Sequence, residues 1–415
     1  MLLSFRFANH RSFRDEQQLN LLPVYDADGE APLEAVTVVG IFGANASGKS
    51  NVIDAFGYLS EMVGTSDRQS EPGVGPARRP FRLDSATRTL PSHYAVDLLI
   101  DGVRHTYGFT VDSDRILEEW LYTYPKRKKR VVFERTGQDF HWGEESGRSN
   151  ARKLADIVAP TALFLSVAAR FDPQRSTDSE RDETTAILHN TFSWLWQRVS
   201  RDRHITSARS RTLIYSTWLS DPAIYPAVAD LLRAADIGLK GVRAERPENL
   251  DRGQVHFLHQ GTADDVSFDI ADESSGTLRL LELAARAVMV LEEGGLFLVD
   301  EIDASLHPLL TASLVQLFQS PSANKRRAQL VFTTHDATLL GSLDGDDVLE
   351  RDQVWFTSKG GDGASELFPL AEFKPRRQGE NRQKRYLNGS YGAIPEVSMR
   401  VFEQALTSRT DADAK

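Results

Sequence analysis

Apolar residues fall along this chain in two rhythms, and the changes from one to the other mark its organisation. Leu2 to Phe7 (Leu-Leu-Ser-Phe-Arg-Phe) alternates as a half-buried strand does, and Ala35 to Phe42 is an apolar, β-branched run ending at Gly43. That run predicts a parallel strand buried on both faces. From Gly48 the spacing turns helical, with Val52, Ile53, Phe56, Leu59 and Met62 on one face up to Gly64. Residues 65 to 80, rich in Ser, Gly, Pro and Arg, read as a loop. Tyr94 to Glu119 alternates in short runs around Asp101-Gly102 and Asp112-Ser113-Asp114, which predicts a β-meander or curled sheet. From about Ala151 to Ala235 the pattern is mainly helical, including Ala186 to Val199 with Phe192, Trp194 and Trp196. Strand signals return at Gln254 to Leu258 and Val266 to Ile270. A helix follows from Thr277 to about Leu291, then strands at Leu296 to Val299 and Gln329 to Thr333.

The loop between the first buried strand and its helix carries chemistry. Residues 43 to 50 read Gly-Ala-Asn-Ala-Ser-Gly-Lys-Ser, a full match to G-x-x-x-x-G-K-[ST] in the strand–loop–helix context that the P-loop motif requires. Its glycines let backbone N–H groups turn toward phosphates, and the helix N-terminus adds its dipole. Lys49 reaches the β/γ oxygens and the Ser50 hydroxyl can hold Mg²⁺.

Two further strand ends fit the same pocket. Leu-Phe-Leu-Val-Asp-Glu at 296 to 301 is an apolar strand closed by two carboxylates, with Asp300 placed to hold Mg²⁺ and Glu301 to polarise an attacking water. Val-Phe-Thr-Thr-His-Asp at 331 to 336 repeats the layout and offers His335 to a γ-phosphate or to that water. Glu-Ser-Ser-Gly-Thr at 273 to 277 opens an amphipathic helix carrying Leu278, Leu280, Leu281, Leu283 and Ala284. By chemistry alone it is equally an anion-binding N-terminus or an ordinary helix cap.

Composition narrows the classes. Zero cysteines removes disulfides, thiolate catalysis and cysteine-held zinc, leaving carboxylates, hydroxyls, histidines and backbone as the reactive groups. A formal charge of −10 argues against a chain that coats nucleic acid over its whole surface, although Lys126-Arg127-Lys128-Lys129-Arg130, beside Trp120, Tyr122 and Tyr124, could contact phosphates locally. No apolar run approaches the roughly 20 residues of a membrane helix and no secretory h-region opens the chain, so a cytoplasmic location is expected.

In their order, the P-loop, Glu-Ser-Ser-Gly-Thr, Leu-Val-Asp-Glu, Ala-Ser-Leu-His-Pro and Thr-Thr-His-Asp resemble the ABC-type ATPase heads of the RecF, SMC and OLD group. The likeness is greatest to stand-alone AAA-family ATPases of prokaryotic anti-phage and abortive-infection loci. Asn9-His10-Arg11-Ser12-Phe13 looks like that group's N-terminal Asn-Phe-Arg-Ser-Phe element, with His10 in place of the usual Phe. Arg382 to Pro395, with Arg385-Tyr386-Leu387-Asn388-Gly389 and Tyr391-Gly392, resembles the end of the abortive-infection members.

The resemblance implies an α/β fold, a P-loop NTPase with an ABC-type head of mixed and parallel sheet flanked by helices, plus a β-rich segment and an inserted helical subdomain. The expected division is 1–66 for the N-terminal half of the head, 67–150 for the β-rich segment, 151–250 for the helical insertion and 251–415 for the C-terminal half. The cofactors implied are ATP and Mg²⁺. Gly43, Asn45, Ser47, Gly48, Lys49, Ser50, Asn51 and Arg11 are expected at the nucleotide, Ser50 and Asp300 at the metal, and Lys49, Glu301 and His335 at the chemistry. Ser274 and Gly276 would act as the Ser-x-Gly signature that closes over the nucleotide of a second head. Asp303, Ser305 and His307 match the D-loop that crosses such a dimer. No glutamine is assigned to the group's Q-loop, since Gln69 and Gln138 lie in unpromising contexts.

Three functions stay open. One is a defence ATPase that dimerises on ATP and holds or triggers a separate effector. OLD nucleases carry a C-terminal Toprim domain, but only 80 residues follow His335, so nuclease activity is expected from another polypeptide such as a Toprim-like, RloB-type partner. The others are a RecF-like DNA-repair or DNA-scanning ATPase and a slow, ATP-gated scaffold.

Overall fold

The computed structural model describes residues 1–25, 34–69, 74–144, 146, 151–170, 183–202, 205, 207–235, 238–245, 254–343, 345–376 and 379–394. Its centre is the helix Lys49–Thr65, which lies between two sheets; thirteen of its 17 residues are buried, more than the single apolar face of its sequence predicts.

The first sheet is antiparallel and seven-stranded, in the spatial order Gln17–Asn20, Leu2–Ala8, Ser92–Ile100, Val103–Val111, Ile116–Thr123, Arg130–Thr136 and Asp139–Trp142. Alternation along Leu2–Ala8 sends Phe5 and Phe7 inward, and the Phe5 ring meets Phe56 of the helix edge-on, with centroids 4.9 Å apart. The β-rich segment thus completes a sheet that the first twenty residues begin.

The second sheet runs Ser365–Pro369, Val354–Lys359, Val38–Gly43, Gln329–Thr333, Leu296–Val299 and Val199–Arg201. All its pairs are parallel except the outer hairpin of Val354–Lys359 with Ser365–Pro369. The three strands anticipated at Ala35–Phe42, Leu296–Val299 and Gln329–Thr333 are therefore neighbours, and their C-terminal ends point to one edge, where ligands bind in open α/β sheets. On the opposite face from Lys49–Thr65 lie the helices Ser275–Glu293 and Pro308–Gln319, which pack Leu283 and Val315 against Phe297 and Phe332.

A third core joins the helices Ala208–Ser220 and Tyr225–Ala235, a three-stranded antiparallel sheet of Leu239–Glu245, Gln254–His259 and Val266–Asp269, and another side of Ser275–Glu293. Among its described residues the middle of the chain is mainly helical, but two strands fall inside the stretch 151–250 expected as a helical insertion, Val199–Arg201 and Leu239–Glu245. Val199–Arg201 pairs with Leu296, Phe297 and Leu298 and closes the edge of the central sheet. Three residues between helices give too short a run for alternation to show. Part of the anticipated middle segment, and Pro395 of the C-terminal motif, lie outside the described residues. Among the described residues no helix is long and apolar enough to cross a membrane.

Candidate functional site

Gly43 to Ser50 turns at the end of the central strand, and three of its residues have positive φ, Gly43 at 155°, Ala46 at 62° and Gly48 at 114°. At Gly48 a side chain is also sterically excluded, because a Cβ would come 2.7 Å from Ser365 Oγ and 3.0 Å from Ser12 Oγ. Gly48 caps the helix without a side-chain hydrogen bond, and no acid occupies the first turn. An uncapped, buried helix N-terminus reached by a lysine is a site built for phosphate.

Lys49 is only 5% exposed, and its Nζ donates to the carbonyls of Gly43 (2.7 Å) and Ala44 (3.0 Å). Burial pulls its pKa down to about 8 against the upward pull of Glu301, Asp300 and Asp303. His335 Nδ1 lies 3.4 Å from the same Nζ, and its Nε2 is 3.7 Å from Glu301 Oε1. The lysine ammonium can only donate, so Nδ1 is the acceptor and the imidazole proton faces Glu301. Lys49 at the start of its helix and His335 and Glu301 just past two strand ends thus form one chain of contacts.

Two threonines set these contacts in place. The buried Thr333 donates from Oγ1 to Asp300 Oδ1 (2.6 Å) and accepts from the Glu301 backbone N–H (2.8 Å), so one hydroxyl orients both acids. Glu301 itself has φ 52°, a conformation that turns its carboxylate into solvent at the sheet edge. Thr334 Oγ1 donates to Asp303 Oδ1 (2.7 Å), tying the expected D-loop to the same strand end. Both threonines are in the Thr-Thr-His-Asp motif, but the motif alone shows only the histidine's chemistry.

Some anticipated nucleotide contacts have side chains already engaged. Ser47 Oγ bonds Thr357 Oγ1 at 2.6 Å, and Asn51 Nδ2 donates to Ser12 Oγ at 2.7 Å, so these side chains pin the loop and leave their backbone groups for a ligand. Asn45 and Ser50 are exposed. Arg11 gives its Nε to Asp54, on the helix behind the loop. Asp54 also accepts from Arg79 Nη1 (2.6 and 2.8 Å), Arg201 Nη2 (3.2 Å) and His10 Nε2 (3.0 Å). Burial alone would raise its carboxyl, but the hydrogen bonds from His10, Arg11 and Arg79 outweigh burial and hold it far below the usual carboxylate range. Burial keeps His10 neutral, so it donates from Nε2 to Asp54 and accepts at Nδ1 from the Tyr94 hydroxyl, 2.7 Å away. His10 is thus part of a buried charge cluster around Asp54.

Next to Arg201, Asp202 points to the other side of the sheet, 2.7 Å from Arg279 Nη1 on the helix that Ser274 caps. Ser274 Oγ accepts from Thr277 N, and a Cβ at Gly276 would lie 3.0 Å from the Ser305 carbonyl. The expected signature and D-loop therefore adjoin within one chain. Among the described residues, none of Ser274's hydrogen bonds reaches the P-loop. His307 caps Pro308–Gln319 through Nδ1, which accepts from Leu309 N at 3.2 Å.

The basic run behaves differently. Lys129 Nζ lies 3.5 Å above the Tyr122 ring and Arg130 pairs with Glu183, so two of its five cations serve the fold while Lys126, Arg127 and Lys128 are exposed.

Residues 38–341, which hold the P-loop, the acid pair and His335, match the family model described as "AAA domain, putative AbiEii toxin, Type IV TA system". The chain belongs to this AAA family. No curated protein matches this AAA-family chain in sequence. Solved structures similar to it include the SMC head domain from Thermotoga maritima (12% identity, 89% of this chain and 98% of that one, TM-score 0.42). Another is an Smc head bound to the C-terminal winged-helix domain of ScpA (14%, 90% and 99%, TM-score 0.48). A third is an Smc head with an extended coiled coil, bound to the C-terminal domain of ScpA derived from Pyrococcus furiosus (13%, 90% and 97%, TM-score 0.42). The P-loop fold of this AAA chain rests on its own strand order and loop geometry.

Proposed function

We propose that this AAA-family chain is a Mg²⁺-dependent ATPase of ABC type that works as a pair of heads. The observation that carries the reading is the convergence of Lys49, His335 and Glu301 at one sheet edge, with contacts of 3.4 and 3.7 Å. ATP would lie along Gly43 to Ser50, with Lys49 exchanging its two carbonyl partners for phosphate oxygens. Ser50 and Asp300 would hold Mg²⁺, which supplies charge neutralisation at the phosphates. A hydroxyl and one carboxylate suit an ion that keeps waters and phosphate in its shell; among the described residues no cluster of three or more His, Asp or Glu offers a protein-only cage. Glu301 is the general base, and His335 bridges it to the lysine.

Ser274 and Gly276 would close over the γ-phosphate of the partner head, with Asp303, Ser305 and His307 crossing between the two. Lys49→Ala and Ser274→Arg chains should each fail to turn over ATP alone. Mixed, they should recover part of the activity, because one of the two shared sites then has an intact P-loop and an intact signature. Steady-state turnover across mixing ratios reads this, and no recovery would remove the trans role of Ser274.

The pKa of Lys49 adds a second expectation. Bound phosphate raises that pKa, so above pH 8 binding takes up a proton, and affinity should fall by up to about tenfold per pH unit. Titration of a fluorescent ATP analogue from pH 7 to 9.5 checks it; a flat profile would mean that Lys49 is charged throughout. The family's description, a toxin of a type IV system, supports a place in abortive-infection defence, where the ATP state of the heads would control a separate effector such as a Toprim-like nuclease.

A further inference from the structure

A cavity of about 600 Å³, a common size for a small-molecule site, lies beside the helix Ser275–Glu293 and takes no part in the chemistry described so far. Val255, Ile270 and Leu278 supply its apolar wall, while Ser275 and Ser305 place one end at the expected signature and D-loop.

The carboxylates around it are already committed. Glu273 Oε1 lies 2.6 Å from His259 Nε2, Asp269 Oδ1 lies 3.0 Å from His256 Nδ1, and Glu282 Oε1 accepts from the Tyr215 hydroxyl at 2.6 Å. The two arginines of the lining have donors to spare. Arg279 is 5% exposed; its Nη1 lies 2.7 Å from Asp202 Oδ2, but its Nε and Nη2 are buried and reach no acceptor among the described residues. Arg211, in the first turn of Ala208–Ser220, brings a second guanidinium, whose buried Nε is 3.8 Å from Glu282 Oε1 and makes no hydrogen bond among the described residues.

Buried donors left without acceptors are costly, more so on a charged group, and a ligand that supplies the acceptors recovers that cost. The Nε–H and Nη2–H of a guanidinium point the same way and form a fork that matches two oxygens of a carboxylate or a phosphate. With Nη1 turned to Asp202, this fork is the edge of Arg279 left for a ligand. Asp202 and Glu282 balance the charges of Arg279 and Arg211, so the cavity has no excess of positive charge to gather bare ions. Paired oxygens on an apolar body suit it better, the fork taking the oxygens and Val255, Ile270 and Leu278 the body.

We propose that this cavity binds a small organic oxyanion, a carboxylate or a phosphate monoester on an apolar body, held by Arg279 with Arg211 beside it. Benzoate and phenyl phosphate share one body and differ in the head, so calorimetric titration of each into the full chain tests the site and its preferred head together. Lys49→Ala is the background, because it takes the P-loop lysine out of competition for phosphate. At least one probe should bind saturably at one site per chain, and the tighter of the two names the head. Arg279→Lys keeps the charge and loses the fork, and should weaken that binding roughly tenfold or more. Ala271→Trp narrows the cavity at its exposed rim without touching the Arg279–Asp202 pair and should weaken binding as much. It decides alone if Arg279→Lys does not unfold cooperatively. Failure of both probes to bind would overturn the proposal. So would an affinity unchanged in the folded variants, which would put the probe elsewhere on the chain. None of these outcomes depends on ATP at the P-loop, so the two sites stand or fall separately.

Discussion

Glu301→Gln should bind ATP with near wild-type affinity and turn it over at least a hundredfold more slowly, the usual loss when a general base is removed. The amide keeps the shape of the side chain, and the backbone N–H at 301 still reaches Thr333 Oγ1, so Asp300 and the strand end are undisturbed. Glu301 is exposed and about half open to solvent, so its replacement carries no folding penalty of note. Without hydrolysis the variant should persist as an ATP-bound pair of heads, visible as doubled mass in light scattering with ATP and not with ADP. Turnover close to wild type would transfer the base role elsewhere, and His335, in contact with both Lys49 and Glu301, would be examined next. Unaltered mass with ATP would instead remove the paired-head arrangement and favour an ATP-gated scaffold.

Asp54→Asn should cost substantial stability without touching the apolar cores. It removes the carboxylate that His10, Arg11, Arg79 and Arg201 all face, leaving those donors with a neutral amide. Breaking a fully buried pair costs about 3–5 kcal/mol, and because the three arginines are part-exposed, a loss of roughly 2–3 kcal/mol is expected. The pH dependence has a definite sign. Asp54 titrates in the unfolded chain near its ordinary value of 3.8 and far lower in the folded one, so its contribution is complete above that value and is lost as pH falls below it. Wild type should therefore lose stability on acidification more steeply than Asp54→Asn in chemical denaturation between pH 5 and pH 3. Parallel curves would mean that the cluster contributes no net electrostatic stability.

The parts of this site legible in the sequence are those whose chemistry is contiguous. Gly43 to Ser50, Asp300-Glu301 and His335 each announce themselves within a few residues, because a strand that ends at a ligand places its polar tip next to its apolar body. The parts that were not legible join distant segments. Asp54 is an acid inside a helical pattern, indistinguishable from a solvent-facing one until Arg79 and Arg201 arrive from 25 and 147 residues away. Thr357 and Ser365 lie in strands that the pattern reading did not single out, and they touch Ser47 and Ser12 across more than 300 residues. Val199–Arg201 is hidden by its brevity.

The order of strands in the central sheet also bears on how the chain emerges from the ribosome. The strand carrying the P-loop, Val38–Gly43, has Gln329–Thr333 on one side and Val354–Lys359 on the other, so both neighbours are synthesised long after it, near the other end of the fold. All seven strands of the first sheet precede residue 143 and can pair early, while the P-loop strand waits with both edges open. A nascent chain halted before residue 329 would therefore display that apolar edge without a partner. During translation the P-loop half would therefore stay open to misassociation until its late strands arrive.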